Sequence, residues 1–239
     1  MKAMIFCAGL GTRLKPYTDS VPKALVQLAG KPLLTHVIER LKTFGVDEVV
    51  VNVHHFANKV EAFIADRDSY GIKVSISDER DMLLDTGGGL KKAADLLNDG
   101  KPFIIHNVDI MSDINIAELY KKHQEGGALA TLAVSNRMSS RYFLFDEAMQ
   151  LVGWKNIKSN EQKISRVGDT YIPFAFNGIH VVSPQIFELM DGFDGKFSIV
   201  DLYLHLAKTE SIKGYDVSKN RIIDVGKPAS LIDAEKLLF

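Results

Sequence analysis

The chain has 239 residues, 46% hydrophobic and 25% charged, and its 29 Lys and Arg nearly cancel its 30 Asp and Glu, leaving a formal net charge of −1. That composition suits a globular protein with a sizeable core and excludes bulk electrostatic attraction to nucleic acid or to an anionic membrane. An anionic ligand would have to be held by a local arrangement of cations.

Taken in chain order, "MKAMIFCAGLG" lacks the long apolar segment and cleavage site of a signal peptide, and no apolar stretch approaches the roughly 20 residues of a membrane span. The single cysteine, Cys7, excludes an internal disulfide and fits a reducing compartment. The expectation is a cytoplasmic protein with neither a nucleic-acid nor a membrane partner. Residues 3–8, 48–53, 73–79, 102–110 and 128–134 are short apolar or β-branched runs, which predict strands buried on both faces. Helix-period segments lie between them. Leu34, Val37, Ile38 and Leu41 share one face, as do Val60, Phe63 and Ile64, and the segments near 89–100 and 115–127 end at glycines. This alternation predicts an α/β protein with a mostly parallel sheet and helices on both sides. Residues 135–171 are polar, with short strand-like pieces that predict hairpins. Residues 172–182 read as a strand, 184–190 and 198–208 as helices, 211–218 and 221–226 as strands, and 227–238 as a closing helix. One domain over 1–239, with 135–171 as an inserted lobe, is expected.

"FCAGLGTRLKPYTDSVPKAL" (6–25) follows the first strand, where ligands bind in open α/β sheets. A dinucleotide fingerprint would need glycine at Leu14 and an acid ending the second strand, which reads "VNVHHF"; a Walker A loop would need Gly-Lys-Ser/Thr. Neither is present. A bare G-x-G is usually a turn, but Arg13 adds a fork of donors for phosphate oxygens, and Lys23 follows Pro22 as a point charge. "DTGGGL" (85–90) reads either as a flexible surface loop or as backbone that must approach something closely. "HNVDI" (106–110) and "IIDVG" (222–226) each end an apolar run with an acid.

The segment "AGLGTRLKPYTDSVPKAL" resembles the signature loop of sugar-1-phosphate nucleotidylyltransferases, G-x-G-T-R-L followed by P-K, and the resemblance continues in matching order along nearly the whole chain. It implies a three-layer αβα, Rossmann-like nucleotide-diphospho-sugar transferase fold with a mostly parallel mixed sheet and a small hairpin lobe. It implies that Ala8, Gly9, Gly11, Thr12 and Arg13 bind the nucleotide phosphates. Asp85, Thr86, Gly87 and Gly88 would lie along the base, with Asn107 also at the nucleotide. Lys23 would serve both the α-phosphate and the acceptor phosphate. Asp109 and Asp224 would hold Mg²⁺, for which hard carboxylate oxygens are suited. Arg13, Lys23 and Asp109 would carry catalysis. The family's usual N-G-D at this point is N-V-D here, with Val108 replacing the glycine. Asn177 and Lys155 are implied at the acceptor; a buried amide and a solvated lysine are the alternatives.

The implied reaction joins an NTP to a sugar 1-phosphate, giving a nucleotide sugar and pyrophosphate. The nucleophile is already anionic, since a phosphate monoester's second pKa is about 6, so no general base is needed. The "DTGGG" loop and compact length resemble MurNAc-1-phosphate uridylyltransferases, with UTP and MurNAc 1-phosphate as the implied substrates. Mannose-1-phosphate guanylyltransferases and choline-phosphate cytidylyltransferases share much of the loop. A silent sensor of nucleotide sugars is the reading from another class. It would be favoured by loss of Arg13, Lys23, Asp109 or Asp224, and all four are present. His54 and His55 are adjacent on a strand and point to opposite faces, so they make no metal pair. Cys7 and Trp154 read as packing residues.

Overall fold

The structure, a computed structural model, describes residues 1–66 and 68–238. β1 (Lys2–Phe6) shows why the first apolar run is a strand buried on both sides. Its period of two sends Ala3 and Ile5 to one face and Met4 to the other, and all three are fully buried. A loop bearing the one-turn helix Thr12–Leu14, a second at Lys23–Leu25 and a tiny hairpin, β2 (Gln27–Leu28) and β3 (Lys31–Pro32), lead into α1 (Leu33–Thr43). There Leu34, Val37, Ile38 and Leu41 are buried in one stripe, as their spacing predicts.

β4 (Glu48–Val53), α2 (Ala57–Ala65), β5 (Lys73–Asp78), α3 (Asp85–Lys92), α4 (Ala94–Leu97), β6 (Phe103–Asn107), β7 (Ile110–Ser112), α5 (Ile116–Gly126) and β8 (Ala130–Ser135) follow. α5 starts where Asn115 Oδ1 accepts from Glu118 N at 3.1 Å and ends at Gly127 in the left-handed region, φ 59°. The segment expected as one helix near 89–100 is two short ones, broken at Ala93.

β5, β4, β1 and β6 pair in parallel, in that spatial order. The order of strands then reverses. The long β12 (Ile172–Val182) runs antiparallel to β6 over 179–182 and to β9 (Arg141–Phe145) over 172–174. β8 also pairs with β12, with an irregularity between Phe176 and His180. β9, β10 (Leu151–Asn156) and β11 (Glu161–Ile164) form the expected hairpins, and they extend the main sheet. α6 (Ile199–Leu206), β13 (Ile212–Asp216), parallel to β8, β14 (Ile222–Asp224), paired with β7, and α7 (Pro228–Leu238) complete the chain. Residues 184–190, expected as a helix, form a 3₁₀ helix from Pro184 to Met190. Two apolar layers cover the sheet: α1, α2 and α5 pack on the Ile5 face, and α3, α4 and α6 on the Met4 face.

Candidate active site

The loop after β1 is fixed from below by side chains. Asn52, buried near the end of β4, accepts from Cys7 N at 2.7 Å and Ala8 N at 3.4 Å. Its Nδ2 donates to Glu79 Oε1 at 2.7 Å, while Glu79 Oε2 accepts from Leu84 N at 3.2 Å. Burial pushes the Glu79 carboxyl above the usual carboxylate range. This relay ties the first loop to the start of α3. Gly11 is left-handed (φ 65°), and a methyl group there would stand 2.8 Å from Thr18 Cγ2 and 3.1 Å from Lys23 Cβ. Glycine therefore lets Lys23 fold in beneath the loop, and Thr18 Oγ1 closes the fold by donating to Gly11 O at 2.8 Å. Gly9 differs: no protein atom lies within 4 Å of the methyl it lacks.

The two acids, distant in sequence, are joined by the β7–β14 ladder, which pairs Asp224 with Ile110, and by Val225 N donating to Asp109 O at 2.8 Å. The Arg13 guanidinium sits between them, 4.0 Å from Asp109 Oδ2 and 3.7 Å from Asp224 Oδ2. Lys23 Nζ makes a close ion pair with the buried Asp109. Gly226 leaves room for this cluster, since a methyl there would stand 2.6 Å from Asp224 Oδ1 and 2.7 Å from Arg13 Nη2. Two carboxylates converging on one cationic group form a donor set that fits a hard divalent cation such as Mg²⁺.

Two cavities meet at Arg13. The first, about 450 Å³, lies over the carboxyl ends of β1 and β6, and its wall includes Ala8, Gly9, Gly11, Thr12, Arg13, Lys23, Asp85, Thr86, Asn107 and Asp109. Gly87 and Gly88 are absent from that wall. They are buried inside α3, and both N–H groups donate to Phe197 O, at 2.9 and 3.2 Å. A methyl on Gly88 would stand 2.3 Å from Gly195 O, and one on Gly87 2.4 Å from the Phe197 ring. The close approach that the glycine run signals is thus to the 195–197 segment of this chain. That segment also brings Lys196 to the cavity, a residue whose sequence signal was only a lysine after the Gly192 and Gly195 turns. Asn52 and Gly226 were likewise not singled out from sequence.

The second cavity, about 790 Å³, has Arg13 and Asp224 on one side and cations of the hairpin region, Arg137, Arg141 and Lys158, on the other. Asn177 is buried under it, its side chain engaged with Ser135 Oγ and with Arg137 Nε, which donates to Asn177 Oδ1 at 2.9 Å. Lys155 lines neither cavity; its Nζ lies 5.9 Å from the centre of the Tyr142 ring. Gly178, left-handed at φ 70°, makes room for Asn107, whose Nδ2 would be 2.5 Å from a methyl there. His54 Nδ1 bonds Glu79 O at 2.7 Å and His55 packs on Phe56. Burial raises the Cys7 thiol far above its ordinary value and keeps it protonated, and Trp154 packs under Lys163.

The sequence profile of the nucleotidyl transferase family matches residues 2–145. An N-acetylmuramate alpha-1-phosphate uridylyltransferase from Caulobacter vibrioides is 34% identical over 99% of this chain and 96% of its own length. A mannose-1-phosphate guanyltransferase from Yarrowia lipolytica is 29% identical over 97% of this chain, which spans only 62% of that protein. The fold matches that of the inositol-1-phosphate CTP transferase from T. maritima with a TM-score of 0.77 at 18% identity, covering 98% of this chain and 96% of that one.

Proposed function

The chain belongs to the nucleotidyl transferase family and is a sugar-1-phosphate nucleotidyltransferase, and from that premise we propose that it transfers a uridylyl group from UTP to N-acetylmuramate 1-phosphate, releasing pyrophosphate. The observation that carries the chemistry is the convergence of Asp109, Asp224, Arg13 and Lys23 where two cavities meet. The substrate pair is supported by the similarity to the Caulobacter uridylyltransferase, which runs over both chains end to end.

In this reading the nucleotide occupies the first cavity and the sugar phosphate the second. A phosphate oxygen of the acceptor attacks the α-phosphorus in line, and pyrophosphate leaves. Lys23, held against Asp109 under the loop, neutralises charge at the reacting phosphorus. Arg13, at the junction, stabilises the departing pyrophosphate. Nothing in the cluster has to take up a proton, so the protein's contribution is positioning and electrostatics. Asp109 and Asp224 would hold Mg²⁺, which supplies charge neutralisation between two phosphates when bound. Asp85 and Thr86 flank the nucleotide, and Asn177 acts on the acceptor through Arg137. We place the enzyme in the cytoplasm, in nucleotide-sugar synthesis that reuses cell-wall sugar, with NTP and sugar 1-phosphate as partners. No described helix is long and apolar enough to cross a membrane.

The test is pyrophosphate release, with and without Mg²⁺, from each of four NTPs paired with MurNAc, mannose, glucose or GlcNAc 1-phosphate. Release with UTP and MurNAc 1-phosphate is expected. Preference for GTP and mannose 1-phosphate would replace the substrate assignment, and silence across the panel would favour a binding protein.

A further inference from the structure

Several cations of this surface are neutralised by carboxylates. Lys31 pairs with Glu39 and Lys91 with Asp194 at 2.8 Å, Lys73 with Glu48 at 2.7 Å, and Lys163 with Asp201 at 2.9 Å. The second cavity gathers into one wall cations that are not so neutralised. Arg137, Arg141 and Lys158 on its hairpin wall have no ion pair among the described residues, and neither does Lys227 beside Asp224. In a chain of net charge −1, this concentration of unpaired positive charge is local. Like charges gathered on one concave wall repel, and they are relieved when an anion binds between them.

The wall is also built. Arg137 is anchored by two of its donors, Nε to the buried Asn177 at 2.9 Å and Nη2 to Phe176 O at 3.0 Å, so its fork is fixed with Nη1 left for a ligand. Arg141 opens β9 opposite Asn156, and Lys158 follows β10, its N–H donating to Asn156 Oδ1 at 3.0 Å. Ile157 N closes the same ladder end on Ser140 O at 2.9 Å. Ser139 and Ser140 add hydroxyls to this wall.

An acceptor phosphate does not account for these groups. In-line attack requires that phosphate at the α-phosphorus, beside Lys23 and Asp109 and opposite the departing pyrophosphate. The hairpin cations therefore face the part of the acceptor away from its phosphate. The geometry points to a second anion subsite, formed by Arg137, Arg141 and Lys158, that takes a carboxylate carried on the acceptor sugar. Guanidinium forks pair with carboxylates through two parallel hydrogen bonds, and such a pair discriminates strongly against a neutral ring. This inference rests on the assignment of the second cavity to the acceptor, and it makes the hairpin wall the determinant that separates an acidic sugar phosphate from a neutral hexose phosphate.

The test uses the full chain and two acceptors that differ in the lactyl carboxylate, MurNAc 1-phosphate and GlcNAc 1-phosphate, at saturating UTP. Charge-assisted hydrogen bonds of this kind predict that Arg141→Gln and Lys158→Gln each lower the acid-to-neutral ratio of kcat/KM by about tenfold. The loss should lie in acceptor KM, with Arg141→Lys restoring part of it. A wild-type enzyme with no preference between the acceptors would overturn the subsite. So would variants that raise the KM for UTP while leaving the acceptor ratio intact, because the cations would then serve the triphosphate. Calorimetric binding of UDP-MurNAc against UDP-GlcNAc reads the subsite without turnover. Silence in the release assay would sink the catalytic reading alone, whereas equal affinities for the two nucleotide sugars would sink the subsite.

Discussion

On the side of the cleft proposed for the nucleotide, the wall includes a glycine loop after β1 and the start of α3, held by Asn52 and Glu79, and the charged groups Lys23 and Asp109 are already paired. On the hairpin side, the wall carries side-chain cations, Arg137 before β9, Arg141 at its start and Lys158 just after β10, without ion pairs among the described residues. The difference teaches where chemistry and selectivity reside. In the proposed reading, the glycine loop with its paired charges holds phosphates whatever sugar follows, and the long side chains of the hairpin region select what else is admitted.

The largest effect separating the two sides is expected at the acid cluster. Asp109→Asn or Asp224→Asn should reduce turnover by about 10²-fold or more at limiting Mg²⁺ with the fold intact, as removal of a transition-state electrostatic partner does. Steady-state kinetics alongside circular dichroism check this, and wild-type rates in either variant at limiting Mg²⁺ would remove the assignment of the metal to that pair.

A second, wholly structural effect lies outside both cavities. Burial pulls His106 and His123 down to about 4 and His180 to about 3, against an ordinary value of 6.5. Below that ordinary value the unfolded chain takes up protons that the folded chain refuses. Stability should therefore fall as pH drops from about 6.5 towards 4, by about 1.4 kcal/mol per pH unit for each histidine. His123, bonded to Thr131 and Ser183, can be tested singly: His123→Gln should flatten the pH dependence of the urea midpoint by about one proton. An unchanged slope would mean that His123 titrates alike in both states.

Two glycines sharpen the comparison further. Gly88→Ala forces a methyl against a backbone oxygen and should cost about 1–3 kcal/mol of stability, read as a lowered denaturant midpoint. Gly9→Ala meets no protein atom, so its midpoint should hold while the KM for UTP rises severalfold. The reverse outcome would exchange the roles of the two glycine segments. The smallest effect belongs to Lys155→Gln, expected to change acceptor KM by less than about twofold, the size of a single exposed charge. A tenfold loss there would bring Lys155 into the acceptor site.

The parallel half of the fold was legible because buried strands and amphipathic helices write their periods directly into the chain. The G-x-G-T-R loop was legible for a similar reason, being a local conformation with local residues. "DTGGG" was legible as a close approach, yet its partner could not be read, because Phe197 and Gly195 lie over a hundred residues away and only packing selects them. Asn177 likewise announced a role, but a buried amide carries no sign of whether it faces a ligand or anchors Arg137.

Composition and periodicity by themselves determined that this chain would form a layered α/β protein with a glycine-bearing turn after its first strand, since hydrophobic burial and glycine stereochemistry act over a few residues. Only the tertiary structure decided that Asp224 meets Asp109 across Arg13, and that unpaired cations from β9 and from the loops beside β9 and β10 share one wall. Those arrangements depend on strand order and long-range register, which the β7–β14 and β9–β10 ladders fix through hydrogen bonds that no local stretch of sequence contains.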